Sequence, residues 1–285
     1  MTASLPVRRR KRTASVILGA LVLGALELTG ASGAGAATLT STSCPSGNCS
    51  PVSTLSADSF GVTLDGQGSA YVSSATGTLR KVPVATGVST TVVAGLGNLR
   101  GVTTDGTGTV WTTDYDGNVQ QITASTGAHR VIASGLGALL GATYSGGRLF
   151  VGGNDGRLWQ VADGNPPKLL AQDLGVVLSL SGDGAGHVYV SSLSAIFQVT
   201  IATGHTTTLE AGVYEPNSVQ ARGGQVYFVS GGGQLSRLDP STGSDVLLTE
   251  FTRSDISNFA LDSAGTAYLV DSNPSELWKL TGVIH

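Results

Sequence analysis

The chain has 285 residues, 41 of them glycine, and only 12% of its residues are charged. So much glycine without a triplet period excludes collagen, and with 40% hydrophobic residues it fits a turn-dense all-β protein better than a disordered chain. The formal net charge is −3, and its distribution along the chain says more than its size.

Arg8, Arg9, Arg10, Lys11 and Arg12 form a basic region, Ala14–Gly30 a short apolar one, and Ala34-Gly35-Ala36 a small-x-small cleavage site. This pattern predicts a signal peptide over residues 1–36 and a secreted, extracellular product. The apolar run is short for a membrane span and carries Glu27, and no later segment is apolar enough to cross a membrane. Removing residues 1–36 takes five of 16 basic residues and one of 19 acidic ones, leaving 11 against 18, a net charge of −7. An acidic secreted domain is not built for nucleic acid or anionic membranes.

Residues 37–49 read as a flexible lead-in rich in Ser, Thr, Gly and Pro. The only two cysteines, Cys44 and Cys49, stand in it as CPSGNC and are expected to form one local disulfide in an oxidising compartment. So short a loop restrains little of the unfolded chain, so its effect would be local.

Residues 50–285 are organised as repeats. Leu99–Ala138 reads as four strands, RGVTTD, TVWTTD, NVQQIT and HRVIAS, separated by turns such as Asp105-Gly106 and Asp116-Gly117. The same reading recurs over 59–98, 99–138, 139–175, 176–215, 216–255 and 256–285. One strand of each unit carries an aromatic residue: Tyr71, Trp111, Phe150, Tyr189, Tyr227 and Tyr268. The next carries an apolar pair: Leu79/Val82, Val119/Ile122, Leu158/Val161, Ile196/Val199, Leu235/Leu238 and Leu277/Leu280. The strand before the aromatic one begins near Gly61, Gly101, Gly141, Ser179, Val219 and Phe259. A four-stranded unit repeating about every 40 residues predicts a β-propeller, here with six blades. The sixth unit lacks a fourth strand, and SPVSTLSA at 50–57 resembles the outer strands, so the N-terminal strand is expected to complete that blade and close the ring. The aromatic column is expected to pack between blades rather than to bind a ligand.

GVTTDGTGTVWTTDYDGNVQQI resembles the NHL-type repeat, as do GVTLDGQGSAYVSS and FALDSAGTAYLVD, and the resemblance over residues 59–285 implies a six-bladed propeller. VWTTD, Val110–Asp114, is similar to the units of the virginiamycin B lyase family, with Asp114 where that family has Glu. That family's site implies histidines and a carboxylate around magnesium. None of His129, His187, His205 and His285 falls at an aligned strand end. Pro216-Asn217-Ser218-Val219 is similar to the P-N-G motif of the SMP-30/gluconolactonase family, which implies a divalent metal held by Glu, Asn and Asp. That resemblance carries Asn217 over as a metal ligand. Ser59 stands near the expected Glu, and Ser257-Asn258 where Asp-Gly is expected.

In a propeller, the loops from outer to next inner strand and from second to third strand open on one face. The first set offers Asn98, Arg100, Glu215, Asn217, Asp255 and Asn258, and the second offers Asp114 and Asp271 among its turn residues. Oxygens converging at a tunnel mouth suit one divalent cation, calcium or magnesium, or a sugar or peptide. No GxSxG elbow or cysteine nucleophile is present, and no GxGxxG opens a helix. Two readings follow. One is a monomeric binding module for a small molecule, peptide or glycan at the central face. The alternative is a metal-dependent lactonase- or streptogramin lyase-like enzyme.

Overall fold

The computed structural model describes residues 48–251 and 255–282. The signal peptide expected at 1–36, the segment 37–47 and Cys44 lie outside the described residues; Cys49 is within them and opens the first strand, Cys49–Thr54. Among the described residues there are 24 strands and no helix, so none that is long and apolar enough to cross a membrane. The strands form six four-stranded antiparallel sheets, the blades of a β-propeller.

Five blades take their strands in chain order from the innermost outward, beginning at Ser59–Leu64, Leu99–Thr104, Leu139–Ser145, Val177–Gly182 and Pro216–Arg222. The sixth runs from Ile256–Leu261 through Ala267–Ser272 to Ser275–Leu280, and its fourth place is held by Cys49–Thr54. There Cys49 stands opposite Leu280 and Thr54 opposite Glu276, antiparallel across a bulge at Pro51–Ser53.

The second strand of a blade is covered on both faces. Five of the six residues of Thr109–Asp114 are buried, and all six of Ser69–Ser74. This is why these strands do not alternate apolar with polar residues. The aromatic column lies on them and is buried throughout, from Phe150 at 0% exposure to Trp111 at 8%. Each aromatic side chain joins a cluster that straddles two blades. Trp111 of the second packs with Leu139 and Leu149 of the third, and Tyr268 of the sixth with Val62 and Ala70 of the first. The six clusters are thus the six seams between neighbouring blades.

Hydroxyls stitch the inner strands across the same seams. Thr103 Oγ1 accepts the Tyr144 N–H at 2.8 Å, Thr143 Oγ1 that of Gly182 at 3.3 Å, and Ser181 Oγ that of Ala221 at 2.9 Å. Where inner strands of neighbouring blades crowd, glycine is required. A Cβ on Gly101 would lie 2.8 Å from the Ala142 nitrogen and 2.7 Å from Thr113 Oγ1. The column that begins Gly61, Gly101, Gly141 and Ser179 continues at Ser218 and Asn258, opposite Val229 and Val270. It does not continue at Val219 and Phe259, as expected from the sequence. Val219 and Phe259 stand one residue further along and turn into the seams, as the equivalent Val62 and Val102 do.

Candidate functional site

Every inner strand breaks register with its neighbour at its second residue, between Ser59 and Val62, Leu99 and Val102, Leu139 and Gly141, Val177 and Ser179, Pro216 and Ser218, and Ile256 and Asn258. A bulge re-aims the side chain it carries. The six second residues are Phe60, Arg100, Leu140, Leu178, Asn217 and Ser257, one from each blade, and all are half-buried. They line a single cavity of about 380 Å³ at the tunnel mouth, which Asp255, Asn258 and Ser272 complete. A narrower polar cavity of about 250 Å³ continues along the inner strands past Thr103, Thr143 and Gln220, and shares Leu140 and Asn258 with the mouth.

Chemically the mouth has two sides. Leu140 and Leu178, from adjacent blades, are an apolar arc, while Asn217, Ser257 and Asn258 are polar. Asn217 Nδ2 donates to the Ile256 carbonyl at 3.2 Å, which fixes the amide against the next blade. Ser257 Oγ donates to the Phe60 carbonyl at 3.0 Å, across the seam between the sixth and first blades.

Among the described residues Arg100 is the one cation of the cavity lining. Its guanidinium carbon lies 3.9 Å from the centroid of the Phe60 ring and 5.5 Å from that of Tyr115, so an aromatic pair holds it. Among the described residues no carboxylate stands within 4 Å of it and no hydrogen bond takes any of its N–H groups; its Nε is buried without a partner. Burial lowers its pKa from the ordinary value, against the opposing fields of Tyr115 and Asp58. An arginine still keeps its charge at any ordinary pH.

Of the residues singled out in the sequence, the mouth brings together Arg100, Asn217, Asp255 and Asn258. The others stand elsewhere. Asp114 is 2% exposed, and its Oδ1 accepts the N–H groups of Asp116 and Asn118 at 3.0 and 2.9 Å. Asp271, also 2% exposed, takes the Asn273 N–H at 3.0 Å. Both hold turns. Glu215 is exposed in a left-handed conformation with φ 44°, its N–H bonded to the Leu193 carbonyl. Asn98 is half-buried beside the mouth with its Oδ1 unpartnered, and its carbonyl takes the Tyr115 N–H. Phe60, Leu140 and Leu178 do not stand out in the sequence, and Ser257 does so only as a departure from an expected Asp. The signal was positional only: each directly precedes the glycine or small polar residue of the inner strand.

The mouth does not fit the divalent cation that the sequence suggested. A hard cation needs several oxygen ligands, usually including more than one carboxylate. Among the described residues the cavity offers one carboxylate, Asp255, which is exposed, and places a guanidinium in the same space. Among the described residues no three His, Cys, Asp or Glu side chains gather where they could share a metal ion. His187 pairs instead with Asp183, Nδ1 to Oδ2 at 2.8 Å.

No protein-family model matches the chain, and no curated protein matches it. Solved structures do. One from a nidogen/laminin complex is 19% identical, covers 66% of this chain and 78% of its own, and superposes with a TM-score of 0.62. An auxiliary nutrient binding protein from Bacteroides thetaiotaomicron is 12% identical over 78% of this chain and 68% of its own, with a TM-score of 0.64. The WD40 β-propeller domain of Doa1 is 16% identical over 82% and 97%, with a TM-score of 0.60. At these identities the likeness is one of fold, and it agrees with the six sheets: the chain is a β-propeller.

Proposed function

We propose that this protein is an exported binding module of NHL-like type, which holds a small molecule, or the end of a peptide or glycan, in the tunnel mouth. One observation carries this reading. Six bulges aim six side chains of mixed chemistry, one per blade, into a single cavity of about 380 Å³, a volume in the range of ligand pockets. Exposed aromatics flank the same face: Tyr115, beside Arg100, is 43% exposed and Tyr214 68%. Similar folds in a nidogen/laminin complex and a nutrient binding protein are in keeping with a binding role. The metal-dependent alternative would need several oxygen ligands, and the described residues of the mouth offer one carboxylate, Asp255, in the same space as the Arg100 guanidinium.

Export rests on the signal at 1–36 and on the pair Cys44 and Cys49, which we take to form one disulfide. The strand Cys49–Thr54, paired with Ser275–Leu280, would then be the latch that closes the ring.

The test is a thermal-shift screen of a fragment library on the wild-type protein and on Leu178→Trp, which fills the mouth from a half-buried position. Fragments that raise the melting temperature of the wild type are expected to lose that effect in the variant. A set of binders indifferent to Leu178→Trp would place binding elsewhere and remove this reading.

A further inference from the structure

We infer that the mouth recognises a carboxylate borne on an apolar group, the chemistry of an N-acylated amino acid or of the last residue of a peptide chain. This rests on the reading of the mouth as a binding site and names what the site selects.

The first ground is Arg100. A guanidinium carries five N–H donors in a planar fork that matches a carboxylate in bidentate fashion. Here none of the five meets an acceptor among the described residues, and Nε is buried without a partner. A buried donor left unsatisfied is costly, so a group from outside the fold is called for. The contact with Phe60 at 3.9 Å holds the cation without consuming any donor. The fork is therefore positioned by an aromatic ring and available to an anion.

The second ground is what surrounds it. In the order of the blades, Leu140 and Leu178 directly follow Arg100, giving an apolar wall next to the cation. Asn217 stands three blades from Arg100, on the opposite side of a six-membered ring, with Asn258 beside it. Asn217 Nδ2 is committed to Ile256, while its Oδ1 takes no hydrogen bond among the described residues and so presents an acceptor. A carboxylate on Arg100, an alkyl side chain on the leucines and an amide N–H reaching Asn217 make one small molecule. Among the described residues one other charge lines this space, Asp255, which is exposed, and the field of Asp58 reaches Arg100 from beyond ion-pair distance. Both disfavour a dianion, so one carboxylate is the charge the site selects.

The test is calorimetric titration of the protein with N-acetyl-leucine and N-acetyl-leucinamide, and with N-acetyl-Ala-Ala-Leu and its C-terminal amide. Each acid is expected to bind at least about tenfold more tightly than its amide, since charge-assisted bonds are about twice as strong as neutral ones. Arg100→Met keeps an apolar side chain over Phe60 and is expected to abolish the preference, weakening the acids at least about tenfold and the amides less. Preference in the single residue but not in the tripeptide assigns the site to free small carboxylates; preference in both admits a chain end. Equal binding of acid and amide, both lost in Leu178→Trp, overturns carboxylate selection but leaves the mouth as a binding site. Absence of binding by all four compounds, or a preference unchanged in Arg100→Met, also overturns the inference. The binding reading itself falls only if the fragment screen shows no dependence on Leu178.

Discussion

The Arg100 guanidinium, on the second blade, lies 3.9 Å from the ring of Phe60 on the first, and the two are second residues of adjacent inner strands. The contact therefore spans a seam between blades and orients the cation of the mouth. Phe60→Leu keeps an apolar filler but removes the π face. It is expected to weaken binding of N-acetyl-leucine about two- to fivefold, the range for an accessible cation–π contact of about 0.5–1 kcal/mol. Binding of the amide should not change. Calorimetry on both compounds reads the difference.

Phe150 and Leu178 separate folding from function. Phe150 is fully buried in the seam between the third and fourth blades, with Leu158, Val177 and Val188. Phe150→Ala is expected to destabilise the protein by about 3–5 kcal/mol. Leu178→Ala, at a half-buried position in the mouth, should cost about 1 kcal/mol or less and act on binding instead. Urea denaturation of both variants checks the contrast.

Gly101 is expected to resist substitution because of space rather than backbone conformation. Its φ is not positive, yet a Cβ would meet the Ala142 nitrogen at 2.8 Å and the Gly141 carbonyl carbon at 2.9 Å. Backbone of the next blade cannot step aside cheaply, so Gly101→Ala should cost about 1–3 kcal/mol. Gly66 has φ +69° and open space around its Cβ position, so Gly66→Ala should lose only about 1 kcal/mol, through the backbone. Melting temperatures of the two variants rank these effects.

Asp183 gives the stability a pH dependence of known sign. Desolvation pushes its carboxyl pKa up, but the N–H groups of His187, Ala185 and Gly186 and the His187 ring outweigh this and hold it below the ordinary value. A carboxylate depressed by folding contributes stability that is present above its unfolded pKa of about 3.9 and is lost as pH falls through the lower folded value. The gap in melting temperature between wild type and Asp183→Asn should therefore be widest above pH about 5 and close below pH about 4. A gap independent of pH would mean that the charge at 183 is not what steadies the turn.

How far the fold could be read from the sequence follows from which residues repeat their chemistry. The column from Tyr71 to Tyr268 is legible because every seam needs a large apolar side chain at the same depth, and the pairs from Leu79/Val82 onward are legible for the same reason. The hairpin turns are legible where Asp recurs: Asp65, Asp105, Asp183 and Asp262 each accept N–H groups two and four residues ahead. The mouth is not legible in this way. Phe60, Arg100, Leu140, Leu178, Asn217 and Ser257 share a position but no chemistry, because each faces the cavity and none joins the apolar cluster of a seam. Arg100, Asn217, Asp255 and Asn258 stand out in the sequence only as polar residues at strand starts, and their apolar companions do not stand out at all. Asp114 and Asp271 look alike in sequence to ligand-facing carboxylates, and only their bonds to turn N–H groups show them to be structural.

The most direct test of the central claim is methyl NMR of the protein titrated with N-acetyl-leucine. The account predicts saturable shifts of the Leu140 and Leu178 methyls, which line the mouth, with those of Leu79, buried in a seam at 0% exposure, unmoved. Unmoved Leu140 and Leu178 methyls, or shifts confined to Val88 and Val246 on the outer strands and their turns, would contradict it.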